Sequence, residues 1–404
     1  MNRSNSIVLR IGLGVGGLIL FLTLTTLGFY SVFTNRYPGA NDFYARWRPA
    51  RAWLFEGRSP YTDSVTLDTQ LGMYGRPAKP EEDKGLFSYP MFSMIFFAPF
   101  ALFDSYAWAS AAWLSVLFGS LVGLVAVSLN WAGWRPPVWL FALTMIFSIL
   151  WYHAVRTLLL GQFAALEALI LAAALLAAGA EKDEWAGVLL ALAMTKIQMA
   201  FLMIPGLLLW SVSLKRWKLG AWFASALAVL LALSFMLLPT WVAEWRAQLG
   251  TYVDNTFIVS PISVIAQYLL PGNAFWLEWA VSGCLGLYLL WEWWQARGQT
   301  GRQFAWVAAL TLVVTNLIAL RTATTNYVMM TPALFLLFRF MHERWGWRGL
   351  LAIAFAEFTL FFGIWILFLV TVTGNVEQPP TYLPLPILLF VGLLLTRRLA
   401  RAPS

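Results

Sequence analysis

IVLRIGLGVGGLILFLTLTTLGFY, residues 7–30, carries one charge, Arg10, in twenty-four positions. A helix of about 20 apolar residues, rising 1.5 Å each, crosses a hydrocarbon core of about 30 Å. The run is too long for the apolar core of a signal peptide and no small-residue cleavage site closes it, so it reads as a retained anchor with no removable leader. Gly12, Gly14, Gly16 and Gly17 follow no strand, which points to close helix packing and away from a nucleotide-binding loop.

Outward from this run the same pattern recurs. Of 404 residues, 60% are hydrophobic and 11% charged, and the mean hydropathy is +0.70, more apolar surface than a soluble domain of this length can hide. The alternating pattern of a membrane barrel is absent. The sequence predicts an all-α, polytopic transmembrane helix bundle of about twelve spans: 7–30, 88–103, 106–129, 136–153, 162–180, 185–210, 218–239, 274–294, 303–320, 326–340, 348–371 and 383–396. No repeat or linker divides it, so residues 1–404 read as one membrane domain.

The formal charge is +8, but the basic residues are dispersed between spans, which argues against a nucleic-acid partner. Lys215, Arg216, Lys218, Arg297, Arg302, Arg339, Arg344, Arg348, Arg397, Arg398 and Arg401 fall on one side if both termini are cytoplasmic, as expected for a multi-pass protein of the cell membrane. Arg135, Arg156 and Lys182 do not agree on a side. The polar stretches 31–87 and 240–273 then become extracytoplasmic loops. Cys284 is the single cysteine, so no intrachain disulfide forms. His153 and His342 lack partners at metal-ligand spacing.

The first loop contains NDFYARWRPARAWLFEGRSPYT, residues 41–62. Trp47, Ala50, Trp53 and Leu54 recur at helical spacing between Arg46, Arg48 and Arg51, which describes an amphipathic helix in the membrane interface. Gly57 ends it and Ser59-Pro60 begins a turn. Asp42, placed just before this helix, is an acid that can reach a substrate at the lipid–water boundary; the structural alternative is a helix N-cap. The three arginines can equally pair with lipid phosphates.

These residues resemble glycosyltransferase family 87, the mannosyltransferase-like group of the GT-C superfamily, whose first external loop opens with an Asp-Phe or Asp-Leu pair and ends in a Gly-x-x-Pro-Tyr-like turn. Asp42-Phe43 and Gly57 to Tyr61 match. FSYPMFSMIFFAPFALF (87–103), with Tyr89, resembles the family's Tyr-Pro-rich second span. Gly161-Gln162 resembles its Gly-Gln pair, and AGVLLALAMTKIQ (186–198) its Lys-Pro-Gln span, with Ile197 in place of the proline. Arg46 stands where many members have tyrosine. The histidine that mannosyltransferase members carry near the Arg321 to Pro332 stretch is missing, so the sugar is left open.

The resemblance implies an inverting enzyme of GT-C fold that moves a sugar from a polyprenyl-phosphate-sugar donor to a glycan or glycolipid acceptor outside the cytoplasm. Asp42 is then the general base, and Arg46, Arg48, Arg51, Tyr61, Tyr89, Gln162, Lys196 and Arg321 are candidates for binding substrate or the donor phosphate. A sugar hydroxyl is a poor nucleophile, and a carboxylate that takes its proton accelerates transfer by about 10²- to 10⁴-fold. Lys196 lies mid-span, where a charge costs a few kcal/mol; an ion pair with Glu167 or Glu357 is the structural alternative. No metal ligand set is evident, although Asp63 or Asp68 could fold back toward Asp42, which leaves a divalent metal open. The rival function is a transporter or lipid flippase, against which stands the lack of an inverted repeat.

Overall fold

The computed structural model describes residues 3–80, 82–255, 260–318, 323–374 and 376–401. Among these every regular element is helical. Among the described residues six helices are long and apolar enough to cross a membrane: Gly12–Thr34, Tyr106–Ala132, Trp217–Leu237, Pro271–Gln295, Trp347–Thr371 and Pro379–Arg401. The pair Val138–Leu150 and Tyr152–Leu160, bent by 42°, makes a seventh if taken as one span. The chain divides into two compact units, one of residues 1–120, 158–163 and 238–256 and the other of 121–157, 164–237 and 257–404.

In the first unit the anchor helix runs antiparallel to the start of Tyr106–Ala132. Phe21 stacks on Phe118 at 6.0 Å, Thr26 Oγ1 donates to Ser115 Oγ at 3.0 Å, and Tyr30 stacks on Trp108 at 3.6 Å. The first loop folds into the helices Asn41–Glu56 and Asp63–Tyr74. Of the expected stripe, Trp47 and Ala50 are buried, together with Phe43 one turn earlier, whereas Trp53 is half-buried and Leu54 exposed; the buried face lies toward the start of the helix and does not run its length. Gly57, with φ +65°, ends the first of these helices.

The expected span 88–103 proves to be a short helical segment, Met91–Ser93 continuing into Met94–Ala101. Eleven residues reach only about 16 Å, half the core thickness. Both ends are held by one loop: the Tyr61 hydroxyl donates to the Tyr89 carbonyl at 2.8 Å, and Arg51 Nη1 to the carbonyls of Ala101 and Phe103 at 2.9 and 3.0 Å.

The second unit is built around Arg302–Leu317, whose residues from Phe304 to Leu317 are all buried. A helix apolar on every side belongs inside a bundle. Trp306 Nε1 donates to the Leu393 carbonyl and Trp293 Nε1 to Thr311 Oγ1, at 2.9 and 3.0 Å. The expected span 185–210 is broken into Asp183–Leu192, a tight turn at Ala193–Lys196, Ile197–Ala200 and Met203–Ser213. Its two ends meet, since Arg216 Nε donates to Asp183 Oδ1 at 3.0 Å. The segment is therefore a hairpin that returns to the end where it began.

That end collects several basic residues of this unit. Arg339 Nη1 donates to the Ala132 carbonyl at 2.9 Å, next to Arg135; Arg302 pairs with Glu343; Gly298 N donates to Ser213 Oγ at 2.9 Å; and Lys182 adjoins Asp183. Arg156 lies at the other end, paired with Glu377 at 3.1 Å. The three residues that disagreed in sequence thus separate, with Arg135 and Lys182 at the basic end and Arg156 opposite.

Candidate active site

The candidate site is built on a strained corner of the first unit. Gly39 and Ala40 both adopt left-handed backbone, φ +55° and +50°, which costs a residue with a Cβ about 1–2 kcal/mol. Hydrogen bonds fix the corner. Ala40 N donates to the Leu159 carbonyl at 3.2 Å, the Tyr106 hydroxyl to the carbonyls of Gly39 and Ala40 at 3.0 and 2.7 Å, and Ser110 Oγ to the Pro38 carbonyl at 2.8 Å. Backbone held in such conformations clusters at functional sites.

The corner makes Ala40 the N-cap residue and puts Asp42 in the first turn of Asn41–Glu56. Asp42 therefore does not occupy the cap position, but it sits where the helix macrodipole favours an anion. Gly161, φ +66°, packs onto the same corner so closely that a Cβ there would lie 2.7 Å from Ala40 Cβ and 2.9 Å from Phe43 Cβ. Trp113 Nε1 holds the Gly161 carbonyl at 2.8 Å, and the Trp113 ring stacks on Phe43 at 4.9 Å. With Gly161 fixed, the Gln162 amide donates to Asp42 Oδ2 at 2.5 Å.

Arg46 lies one helical turn beyond Asp42. Its guanidinium sits 4.8 Å from the Tyr89 ring centroid and donates from Nη1 to the Leu86 carbonyl at 3.1 Å. Tyr89 and Tyr61 are buried, and burial pushes the Tyr61 phenol up, so it remains a hydrogen-bond donor. Tyr74 is pushed up to about 12, first by burial and then by the negative charges of Asp83, Glu82 and Asp42.

The other two arginines of the helix are held by carboxylates. Arg48 bonds Glu56 and Asp68, both at 2.7 Å, and Arg58 joins the same two acids. The hydrogen bond from Arg48 holds the Glu56 carboxyl below its usual range. Arg51 pairs with Asp104 at 3.0 Å. Asp68 is thus bound to arginine, and Asp63 is exposed at the head of its helix. Among the described residues no group of three or more His, Cys, Asp or Glu is placed to hold a metal ion.

The structure therefore brings Asp42, Arg46, Tyr61, Tyr89 and Gln162 together within the first unit. Lys196 belongs to the second. It is buried at the hairpin turn, where its backbone breaks the helix (φ −122°, ψ 68°), and its charge acts on the buried Glu167. Glu357, the other acid considered for it, accepts from Thr144 Oγ1 at 2.6 Å. Arg321 lies outside the described residues. The sequence reading missed Glu377, which accepts from Thr324 Oγ1 at 2.8 Å and from the Tyr152 hydroxyl besides its pair with Arg156. The available signal was that Glu377 is the sole acid after Glu357.

No curated protein and no solved structure matches the chain. The family model for glycosyltransferase family 87 matches residues 87–320. Tyr89, Gln162 and Lys196 fall inside the matched stretch, Asp42, the three arginines and Tyr61 precede it, and Arg321 follows it. Since the match covers more than half of the chain and the helices supply the membrane spans, the protein belongs to glycosyltransferase family 87 and so to the membrane glycosyltransferases.

Proposed function

We propose that the protein is an inverting, GT-C-type glycosyltransferase that transfers a sugar from a polyprenyl phosphate to a lipid-linked or cell-envelope glycan acceptor on the extracytoplasmic face, with both termini in the cytoplasm. The observation that carries this reading is the Gln162–Asp42 hydrogen bond. It joins the Gly-Gln pair, inside the matched stretch, to Asp42 of the Asp-Phe pair, which precedes that stretch.

In the proposed step Asp42 accepts the proton of the acceptor hydroxyl as that oxygen bonds to the anomeric carbon and the polyprenyl phosphate departs from the opposite face. Gln162 holds one carboxylate oxygen, which orients the other. Arg46, stacked on Tyr89, offsets charge on the departing phosphate. Arg48 and Arg51, bound to carboxylates, hold the first loop in place. Lys196 and Arg321 are proposed as further donor-phosphate ligands.

For the membrane path we propose about ten passes, with the hairpin Asp183–Ser213 entering and leaving at the basic, cytoplasmic end; counted as two short passes it brings the total to about twelve. The test of function is incubation of purified protein with a panel of polyprenyl-phosphate sugars. Release of polyprenyl phosphate from one of them supports the reading, and release from none while nucleotide sugars are consumed would overturn it.

A further inference from the structure

Within the second unit, the C-terminal ends of Ala274–Gln295 and Pro384–Arg401 lie together, because Arg397 and Arg401 both form ion pairs with Glu292, at 2.5 and 2.9 Å. Between the two helices runs an open groove of about 500 Å³, lined by Ala280, Val281, Cys284, Leu285 and Tyr288 on one helix and by Phe390 and Leu394 on the other. The first set covers one face of its helix at i, i+3 and i+4 spacing. The volume is within the about 300–1,000 Å³ of small-molecule sites. From Ala280 to Tyr288 the groove extends about 12 Å along the helix, close to the depth of one leaflet.

The mouth of the groove is charged. Glu292 is 2% exposed, whereas the arginine side chains are 34% and 36% exposed. Two guanidinium groups against one carboxylate leave a net positive charge where the groove reaches the membrane surface. Arginines that only marked topology would need neither a shared buried acid nor an apolar trough beneath them.

We propose that this groove holds one acyl chain of an anionic phospholipid, whose phosphate is bound by Arg397 and Arg401. The trough takes the chain, and the guanidinium donors that Glu292 does not use match phosphate oxygens in pairs. Net positive charge selects anionic over zwitterionic headgroups, by about fivefold per arginine at a membrane surface.

Cys284, the single cysteine of the chain and exposed in the groove, is the reporter. The full-length protein in detergent is titrated with phosphatidylglycerol or with phosphatidylcholine of identical chains, and the rate of Cys284 alkylation by a maleimide is followed. Phosphatidylglycerol is expected to protect Cys284 at a concentration about fivefold lower, as one net positive charge gives. Equal protection by both lipids, or by neither, would overturn the proposal. So would tighter protection by undecaprenyl phosphate, or crosslinking of Cys284 between two copies by a bifunctional maleimide. The triple variant Glu292→Gln, Arg397→Gln, Arg401→Gln removes the cluster without stranding the acid, and should protect equally with either lipid. Ala280→Trp fills the groove and leaves the cluster intact, which covers the case in which the triple variant fails to fold. It should lose the phosphatidylglycerol that the parent retains in native mass spectrometry, and parental retention would overturn the proposal.

Discussion

The side-chain amide of Gln162 donates to Asp42 Oδ2 at 2.5 Å across 120 residues of sequence. Two left-handed corners, at Ala40 and at Gly161, make this possible by packing backbone against backbone. If the contact orients a catalytic base, Gln162→Leu should lower kcat by about 10- to 100-fold and leave donor binding unchanged. Steady-state kinetics with a saturating donor measures this, and a change confined to KM would assign Gln162 to binding instead.

Gln162→Glu tests the same contact through pH. A second carboxylate within hydrogen-bond reach disfavours ionisation of Asp42, so the acidic limb of the rate profile should move to higher pH. Activity lost at neutral pH should return in alkali. An unshifted limb would mean that Asp42 does not titrate in the rate-limiting step.

Gly161→Ala meets both a left-handed backbone and a Cβ contact at 2.7 Å with Ala40. It should destabilise the protein by about 2 kcal/mol or more. Ala40→Gly removes the opposing methyl and relieves a second left-handed residue, so the double variant should recover a large part of the loss. Thermal unfolding of the two single variants and the double variant gives the coupling.

The arginine and carboxylate cluster of the first loop should respond to acid. Because Arg48 lowers the Glu56 carboxyl, its stabilisation is fully present above the unfolded glutamate value of about 4.3 and fades as pH falls through the lower folded value. Amide exchange across residues 41–74 should therefore stay protected at pH 6 and accelerate below about pH 4, and high salt should weaken the exposed pairs. Protection independent of pH would deny the cluster a stabilising role.

The helical character, the membrane class and the first-loop helix were legible because they rest on local signals: apolar run length, Gly57 as a stop, and the helical spacing of Trp47 and Ala50, although Trp53 and Leu54 of the same expected stripe are not buried. Run length alone misread 88–103 and 185–210 as single crossings. A segment buried among other helices is as apolar as one facing lipid, and nothing local marks the contact of Asp183 with Arg216 that turns the second into a hairpin. Asp42 was visible through the Asp-Phe pair that opens the first-loop helix. Its partnership with Gln162 depends on the strained Ala40 corner, which no propensity announces for alanine. Glu377 stayed hidden because its partners Arg156 and Thr324 are distant in sequence.

The central claim is that Asp42 is the base. The most direct measurement is transfer by Asp42→Asn, with release of polyprenyl phosphate and donor binding followed on the same preparation. The amide keeps the volume and can still bond Gln162 but cannot take a proton, so the account predicts parental donor binding with transfer reduced by about 10²-fold or more. Parental turnover by a folded Asp42→Asn protein would contradict it.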